Sequence, residues 1–186
     1  MSEREQRTAC RATAVEGEYL DRRQIAREIE LNVHFLDFLK VPLRQWAGLG
    51  RWATLEPATR SDVGTHALAT LDTVLADLIA VRARLAATVE SAPDDVGPGT
   101  LVPLPEHGGL GWAVVRAFER FVAPTRFISI SLNQWAARTS DDYSDEARTL
   151  AGERALGFLD NALAQLVPIR EVLAADLGER PTGDPA

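Results

Sequence analysis

Three histidines, His34, His66 and His107, carry the side chains best suited to bind a metal ion or to move a proton at neutral pH. A zinc site built from three histidines needs all of them to converge on one point. His66, however, projects away from the apolar face of its predicted helix. Glu30 and His34 are four residues apart, whereas carboxylate-bridged di-iron bundles use Glu-x-x-His pairs. We therefore predict no metal site and no cofactor, and these histidines remain the only candidate ligands.

Nucleophilic catalysis and phosphate binding have sequence motifs that this chain lacks. It contains no Gly-x-Ser-x-Gly turn and no glycine-rich phosphate loop. Gly108, Gly109 and Gly111 precede a predicted helix, but their spacing fits a turn into that helix better than a dinucleotide-binding loop. We therefore assign no catalytic residue and expect a protein that is not an enzyme.

A group of aromatic and polar residues around Pro124 is the best internal candidate for a binding pocket. Aromatic walls with a few hydroxyl and amide groups are the usual lining of a small-molecule site between helices. The alternative is that the hydroxyl groups bond to backbone carbonyls freed by the proline. The candidate pocket residues are Trp112, Phe121, Thr125, Ser129, Asn133 and Trp135.

The periodicity of apolar residues predicts four helices, at about 19–40, 59–89, 109–138 and 144–177. The second is the clearest, because its apolar residues alternate at spacings of three and four: Leu68, Leu71, Leu75, Leu78, Leu85 and Val89. We predict an all-α fold, an antiparallel four-helix bundle, with one domain at 19–178. Residues 1–18 are expected to be mobile or partly helical, and residues 179–186 disordered.

Prolines, glycines and capping residues predict where these helices end or bend. Pro42 is expected to stop the first helix, and Thr59 with Asp62 fits a capping box for the second. Long loops are then expected at about 41–60, with a short helix near 43–47, and at about 91–108. Kinks are predicted near Pro124, where the third helix could divide into two, and near Pro168.

The second half of the first helix is apolar on most of its circumference, because Leu31, Phe35 and Phe38 fall outside its buried stripe. These residues need a cover. Either the loop that carries Trp46 and Trp52 folds over them, or a second copy of the chain packs against them. We favour the second copy, and hence predict an interface of these five residues.

Composition bounds the partners. A net charge of −7 and an isoelectric point near 5.0 argue against binding to nucleic acid or anionic lipid. The longest apolar runs are interrupted by polar residues, and the N-terminus lacks the apolar core of a secretory signal, so we expect no membrane association and a cytoplasmic location. Nineteen arginines against one lysine, with abundant alanine, are typical of bacterial genes rich in G and C.

Two functional hypotheses remain. The first is a non-catalytic interaction protein that presents an apolar helix face or the 91–108 loop to a protein partner or, as a homodimer, to itself. The second is a small-molecule-binding protein or enzyme that uses the aromatic pocket near Pro124, with His34 or His107 as the proton-transfer group. A deep pocket near Pro124 would favour the second.

Overall fold

The computed structural model describes residues 3–89, 109–125, 127–137 and 143–178. In these residues the fold is all-helical, as predicted, and contains no strand. The predicted 91–108 loop and the 179–186 tail lie outside the described residues. In chain order the elements are α1 (Glu3–Trp46), a short 3-10 helix η1 (Gly50–Trp52), α2 (Pro57–Thr88), α3 (Leu110–Thr125), α4 (Ile128–Trp135) and α5 (Asp145–Asp176).

A single cluster of buried apolar side chains joins all five of these α-helices. The leucines of α2 that define its predicted stripe are buried, including Leu71 and Leu78. They meet Ile29 and Leu36 of α1 and Phe118 of α3 in the same cluster. The apolar stripe read from the α2 sequence is therefore the centre of the core.

The first helix is much longer than predicted, and Pro42 does not stop it. α1 continues through Pro42 to Trp46, so the short helix expected near 43–47 is its last turn. Proline removes one backbone donor, which leaves the carbonyl of residue 38 without its helical partner. Phe38, which carries that carbonyl, lies on the exposed side of α1, while Leu43 and Trp46 are buried beyond the proline. Tertiary packing on the inner side thus outweighs the local effect of the proline.

The connection between α1 and α2 is shorter than the predicted 41–60 loop, and the prediction of a capping box at Thr59 and Asp62 was wrong. α2 begins at Pro57, with Glu56 at the N-cap position and no side-chain cap. Proline is favoured in the first turn because that turn has no use for its missing donor. Thr59 therefore lies inside the helix, and the connection is reduced to residues 47–56 around η1.

The predicted third helix is two helices, so five α-helices replace the predicted four in the described residues. α3 ends at Thr125 and α4 begins at Ile128, which places the break just after Pro124. Phe121 and Val122 are buried in the core. Their packing holds the turn before the proline in helical form, and the break follows it.

The last helix matches its prediction in extent. Ser144 caps α5 by accepting a hydrogen bond through its Oγ from the backbone N–H of Ala147, at 3.2 Å. Gly178, which follows the helix, has a φ of 79°, a conformation that glycine adopts without steric cost. Pro168, where we predicted a kink, lies inside α5, and the helix continues on both sides of it.

Two bidentate ion pairs join α2 to α5. Arg82 donates from Nε to Oδ1 of Asp160, at 2.7 Å, and from Nη2 to Oδ2, at 3.2 Å. Arg170 binds Asp72 through the same atoms with the same two distances. The hydrogen bond to Asp160 raises the pKa of Arg82 above its ordinary value, against the opposing effect of burial. These contacts fix the register of two core helices at their partly exposed edge.

Each end of the helix assembly has a buried tryptophan packed against a glycine of a neighbouring helix. At one end Trp46 lies on Gly64 of α2 and donates its indole N–H to Asp176 of α5, at 3.1 Å. At the other end Trp135 lies on Gly152 of α5. An added Cβ would come within 2.6 Å of the first indole and 2.7 Å of the second. Both glycines are therefore required by close packing.

α2 is also the one described helix whose length and composition would let it cross a membrane. Its most apolar window has a mean hydropathy of 1.3, and 39% of that window is buried inside the structure. The core helix of a water-soluble protein passes the same test. In this structure the leucines that raise the hydropathy of α2 pack against α1 and α5.

Candidate functional site

The described histidines do not come together. His34 is exposed on α1, where its ring meets the ring of Phe38 edge-on at a centroid distance of 4.9 Å. His66 is exposed on α2, and His107 lies outside the described residues. Within the described ranges, no group of three His, Cys, Asp or Glu side chains is placed to hold a metal ion.

The prediction that the protein binds no metal leads to a direct test. Purified protein should contain no stoichiometric zinc, iron or manganese, and a chelator should leave its melting temperature unchanged, because a site that bound metal would stabilise the fold. Elemental analysis and thermal melting measure the two quantities. About one metal ion per chain, lost on replacing His34 or His107, would contradict the prediction.

The residues proposed for a pocket near Pro124 are placed in different environments. Phe121 and Trp135 are core residues, and Ser129 is half-buried. Asn133 is exposed and donates its side-chain amide to the carbonyl of Ser129, at 2.8 Å, and to Glu30 of α1, at 3.3 Å. Thr125 ends α3, and its side chain is not among those described.

Two of these candidates line cavities, but not the same one. Asn133 borders a polar hollow of about 430 Å³ between α1 and α4, together with Arg23, Arg27 and Glu30. Trp112 borders a larger cavity of about 660 Å³ at the other end of the α1 surface. That larger cavity, which we call the arginine–tryptophan groove, is lined by Val41, Arg44, Leu49, Gly50, Arg51, Trp52, Trp112, Val115, Arg116 and Glu119.

The arginine–tryptophan groove is formed where the end of α1 and η1 meet the first turns of α3. The backbone conformation at Gly48 and Gly50, each with a φ of 62°, turns the chain from α1 into η1. Ala47 approaches Gly111 so closely that a Cβ added to Gly111 would lie 2.8 Å from the Cβ of Ala47. This contact brings α3 against the end of α1. Trp52 and Trp112, sixty residues apart in sequence, thereby line one cavity.

Charged side chains in the groove are arranged around one carboxylate. Glu119 accepts a hydrogen bond from Nε of Arg44, at 2.6 Å, and lies 3.9 Å from Arg116. Arg51 instead stacks on Trp52, with its Cζ 4.4 Å from the ring centroid. Arg116 lies over Trp112 at 5.6 Å. The groove thus combines two indole rings with three guanidinium groups and one carboxylate.

A second surface feature is the exposed apolar stripe of α1, which we define as Leu31, Phe35, Phe38 and Val41. Their exposed fractions are 52%, 43%, 62% and 51%. Trp46 and Trp52, the other two predicted interface residues, do not cover them: Trp46 is buried in the core and Trp52 lines the groove. The loop after α1 therefore leaves the stripe open.

Comparison of the chain with models of known protein families, with characterised proteins and with solved structures found no match. The groove and the α1 stripe are therefore the features from which a function can be inferred.

The sequence pointed to parts of both features but missed the groove as a site. Trp52 and Trp112 were each selected, although for different roles. Arg116, four residues after Trp112 on the same helix face, and Arg51, next to Trp52, are local signals of stacking that were overlooked. Their common location depends on how α1 packs on α3, which no local pattern predicts.

Proposed function

We propose that the protein is a non-catalytic interaction protein that forms a homodimer through the α1 stripe. The observation that carries the proposal is the exposure of four large apolar side chains on one face of a core helix. Large apolar side chains that are exposed together on one helix face are typical of an interaction site. The composition supports a bacterial, cytoplasmic setting for it.

The order of side chains in the stripe favours a second copy of the chain as the occupant. Along α1 it is aliphatic, aromatic, aromatic, aliphatic, and it is the same in either direction. A twofold axis between residues 35 and 38 would set two antiparallel α1 helices side by side, with Phe35 of each chain on Phe38 of the other. Leu31 would then meet Val41 of the other chain. A twofold contact needs this self-complementarity.

The size of the stripe favours a reversible dimer. Its four side chains expose on the order of 400 Å² of apolar surface, about half of the roughly 800 Å² that each partner buries in a standard interface. We therefore expect the dimer to form at about tens of micromolar chain concentration rather than to be permanent.

The scaffold that we propose behind the stripe is an antiparallel four-helix bundle in which α3 and α4, in series, form one member. Asp72 of α2 pairs with Arg170 of α5, and Arg82 of α2 pairs with Asp160 of α5. A step of ten residues toward the C-terminus of α2 therefore corresponds to a step of ten residues toward the N-terminus of α5. This pattern supports an antiparallel pair.

A second set of contacts supports the same arrangement around α1. Arg44 of α1 pairs with Glu119 of α3, and Glu30 of α1 pairs with Asn133 of α4. A step of fourteen residues toward the N-terminus of α1 therefore corresponds to a step of fourteen residues toward the C-terminus across the α3–α4 break. α3 and α4 then run along α1 in one register, opposite to its direction. In this arrangement Val89 and Gly109 lie at opposite ends of the bundle.

The test of the dimer is Phe38→Glu. Phe38 is the most exposed residue of the stripe, so a charge there should break the contact between chains and leave the core of each chain intact. We expect a soluble, fully helical monomer by light scattering and circular dichroism. The matched control is Ile79→Glu, which changes an exposed apolar residue of α2 outside the stripe and should leave the dimer in place.

Two outcomes would contradict the proposal. A dimer of unchanged affinity in Phe38→Glu would place the interface elsewhere. Misfolding of Phe38→Glu, with Ile79→Glu folded, would mean that Phe38 is covered within its own chain.

A further inference from the structure

We infer that the arginine–tryptophan groove binds a small organic anion, a carboxylate or phosphate carried on a flat apolar body. This site is separate from the proposed dimer contact, with which it shares only Val41 at its edge. The inference rests on the charge of the groove, on the stacked guanidinium groups and on the size of the cavity.

The groove is locally positive in a protein of net charge −7. Of its charged residues, Arg44 and Arg116 share the single carboxylate of Glu119. Arg51 is paired with no carboxylate in the part of the chain that the structure describes, and it is exposed. With three guanidinium groups and one carboxylate, the groove has a local excess of positive charge, which attracts anions from solution.

Two of the three guanidinium groups lie over indole rings, Arg51 over Trp52 and Arg116 over Trp112, and this position suits them to recognise a planar anion. A guanidinium held over an indole by a cation–π contact can still donate its N–H groups in the plane of the guanidinium, and this fork of donors matches the two oxygens of a carboxylate or a phosphate. Arg44 shows that a guanidinium of the groove can bind a carboxylate, since its Nε and a terminal nitrogen both contact Oε1 of Glu119. Trp52 and Trp112 supply flat faces, and Val41, Leu49 and Val115 supply the apolar wall.

The volume of the groove and the net charge of the protein favour a small ligand over a nucleic acid strand. A volume of about 660 Å³ falls inside the range of about 300–1,000 Å³ that is usual for small-molecule sites. A single-stranded nucleic acid also combines stacking with phosphates, but it would need a positive path longer than one groove. The net charge of −7 opposes such a polyanion and has less effect on a ligand with one anionic group.

The experiment is isothermal titration calorimetry of the full chain with three naphthalene probes of similar shape. Naphthoate and naphthyl phosphate carry the anion, and naphthamide is neutral. We expect at least one of the anions to bind with a dissociation constant below about 1 mM, and naphthamide to bind at least about tenfold more weakly. The comparison of naphthoate with naphthyl phosphate identifies which anion the arginines prefer.

Variants locate the binding. Arg51→Gln and Trp52→Leu lie on η1 outside the dimer stripe, and each is expected to weaken the preferred anion by about tenfold. Arg154→Gln, which removes an exposed arginine of α5, is the matched control and should not change binding. Light scattering of Arg51→Gln should match that of the unaltered chain, so loss of ligand binding is distinguishable from loss of the dimer.

Any of three results would overturn the inference. The first is no heat of binding with either anion at about 1 mM, and the second is equal binding of naphthamide and the anions. The third is undiminished anion binding in both Arg51→Gln and Trp52→Leu. Tighter binding of an oligothymidylate of about ten nucleotides than of naphthyl phosphate would also overturn it, in favour of a nucleic acid site.

Discussion

Replacing Leu78 by aspartate is expected to unfold most of the protein at room temperature. Leu78 is only 1% exposed at the centre of α2, within the cluster that joins all the described α-helices. Loss of a buried leucine alone costs about 2–5 kcal/mol, and the variant would also bury a carboxylate. Arg82, the arginine nearest to Leu78 in sequence, is already bound to Asp160, and Arg170 of α5 is bound to Asp72.

The expected loss is comparable to the whole stability of a domain of this size, which is about 5–15 kcal/mol. Ile79→Asp is the matched control, because it places the same charge one residue further on, at a position that is 54% exposed. It should change the stability by no more than about 0.5 kcal/mol. Circular dichroism and thermal melting measure both variants. A wild-type spectrum and melting temperature in Leu78→Asp would disprove the assignment of this α2 face to the core.

Two glycine-to-alanine substitutions on α5, five residues apart, are expected to change stability in opposite directions. At Gly152 an added Cβ would lie 2.7 Å from Cδ1 of Trp135 and 2.9 Å from Cγ2 of Val89. Neither the indole nor the β-branched valine can move away easily, since both are buried. Overpacking of this kind costs about 1–3 kcal/mol, more than alanine gains over glycine in a helix.

At Gly157, in the same helix, an added Cβ would meet no atom within 4 Å. Only the helix propensity then changes, and alanine should stabilise the protein by about 0.5–1 kcal/mol. Urea denaturation of the two variants, with the midpoint and slope compared, provides the measurement. A higher midpoint in Gly152→Ala would show that Trp135 does not pack on Gly152 as described, and a lower midpoint in Gly157→Ala would show that Gly157 does not face open space.

Sequence patterns within a few residues correctly predicted the features that depend on interactions within a few residues. The leucine spacing of α2 identified its buried face, and the helix predicted at about 144–177 matches α5, because periodicity and capping act within a few residues. The position of Pro124 indicated a division of the third helix for the same reason. The all-helical fold class followed from these elements.

Other features depended on packing between distant segments and were missed for that reason. Pro42 is tolerated because Leu43 and Trp46 gain burial beyond it, a gain that the sequence near Pro42 does not reveal. The groove exists because α3 packs against the end of α1, and the residues near Pro124 occupy separate environments because α3 and α4 each pack on a different part of α1. By contrast, the exposure of Leu31, Phe35 and Phe38 could be predicted, since they lie outside the stripe that faces α2.

The most direct test of the proposed function is the mass of the unaltered protein in solution across a range of concentrations, measured by light scattering. We expect the mass to rise from that of one chain, 20.3 kDa, toward twice that value as the concentration passes through about tens of micromolar. A mass that stays at one chain up to several hundred micromolar would contradict the proposal that the α1 stripe is a dimer interface.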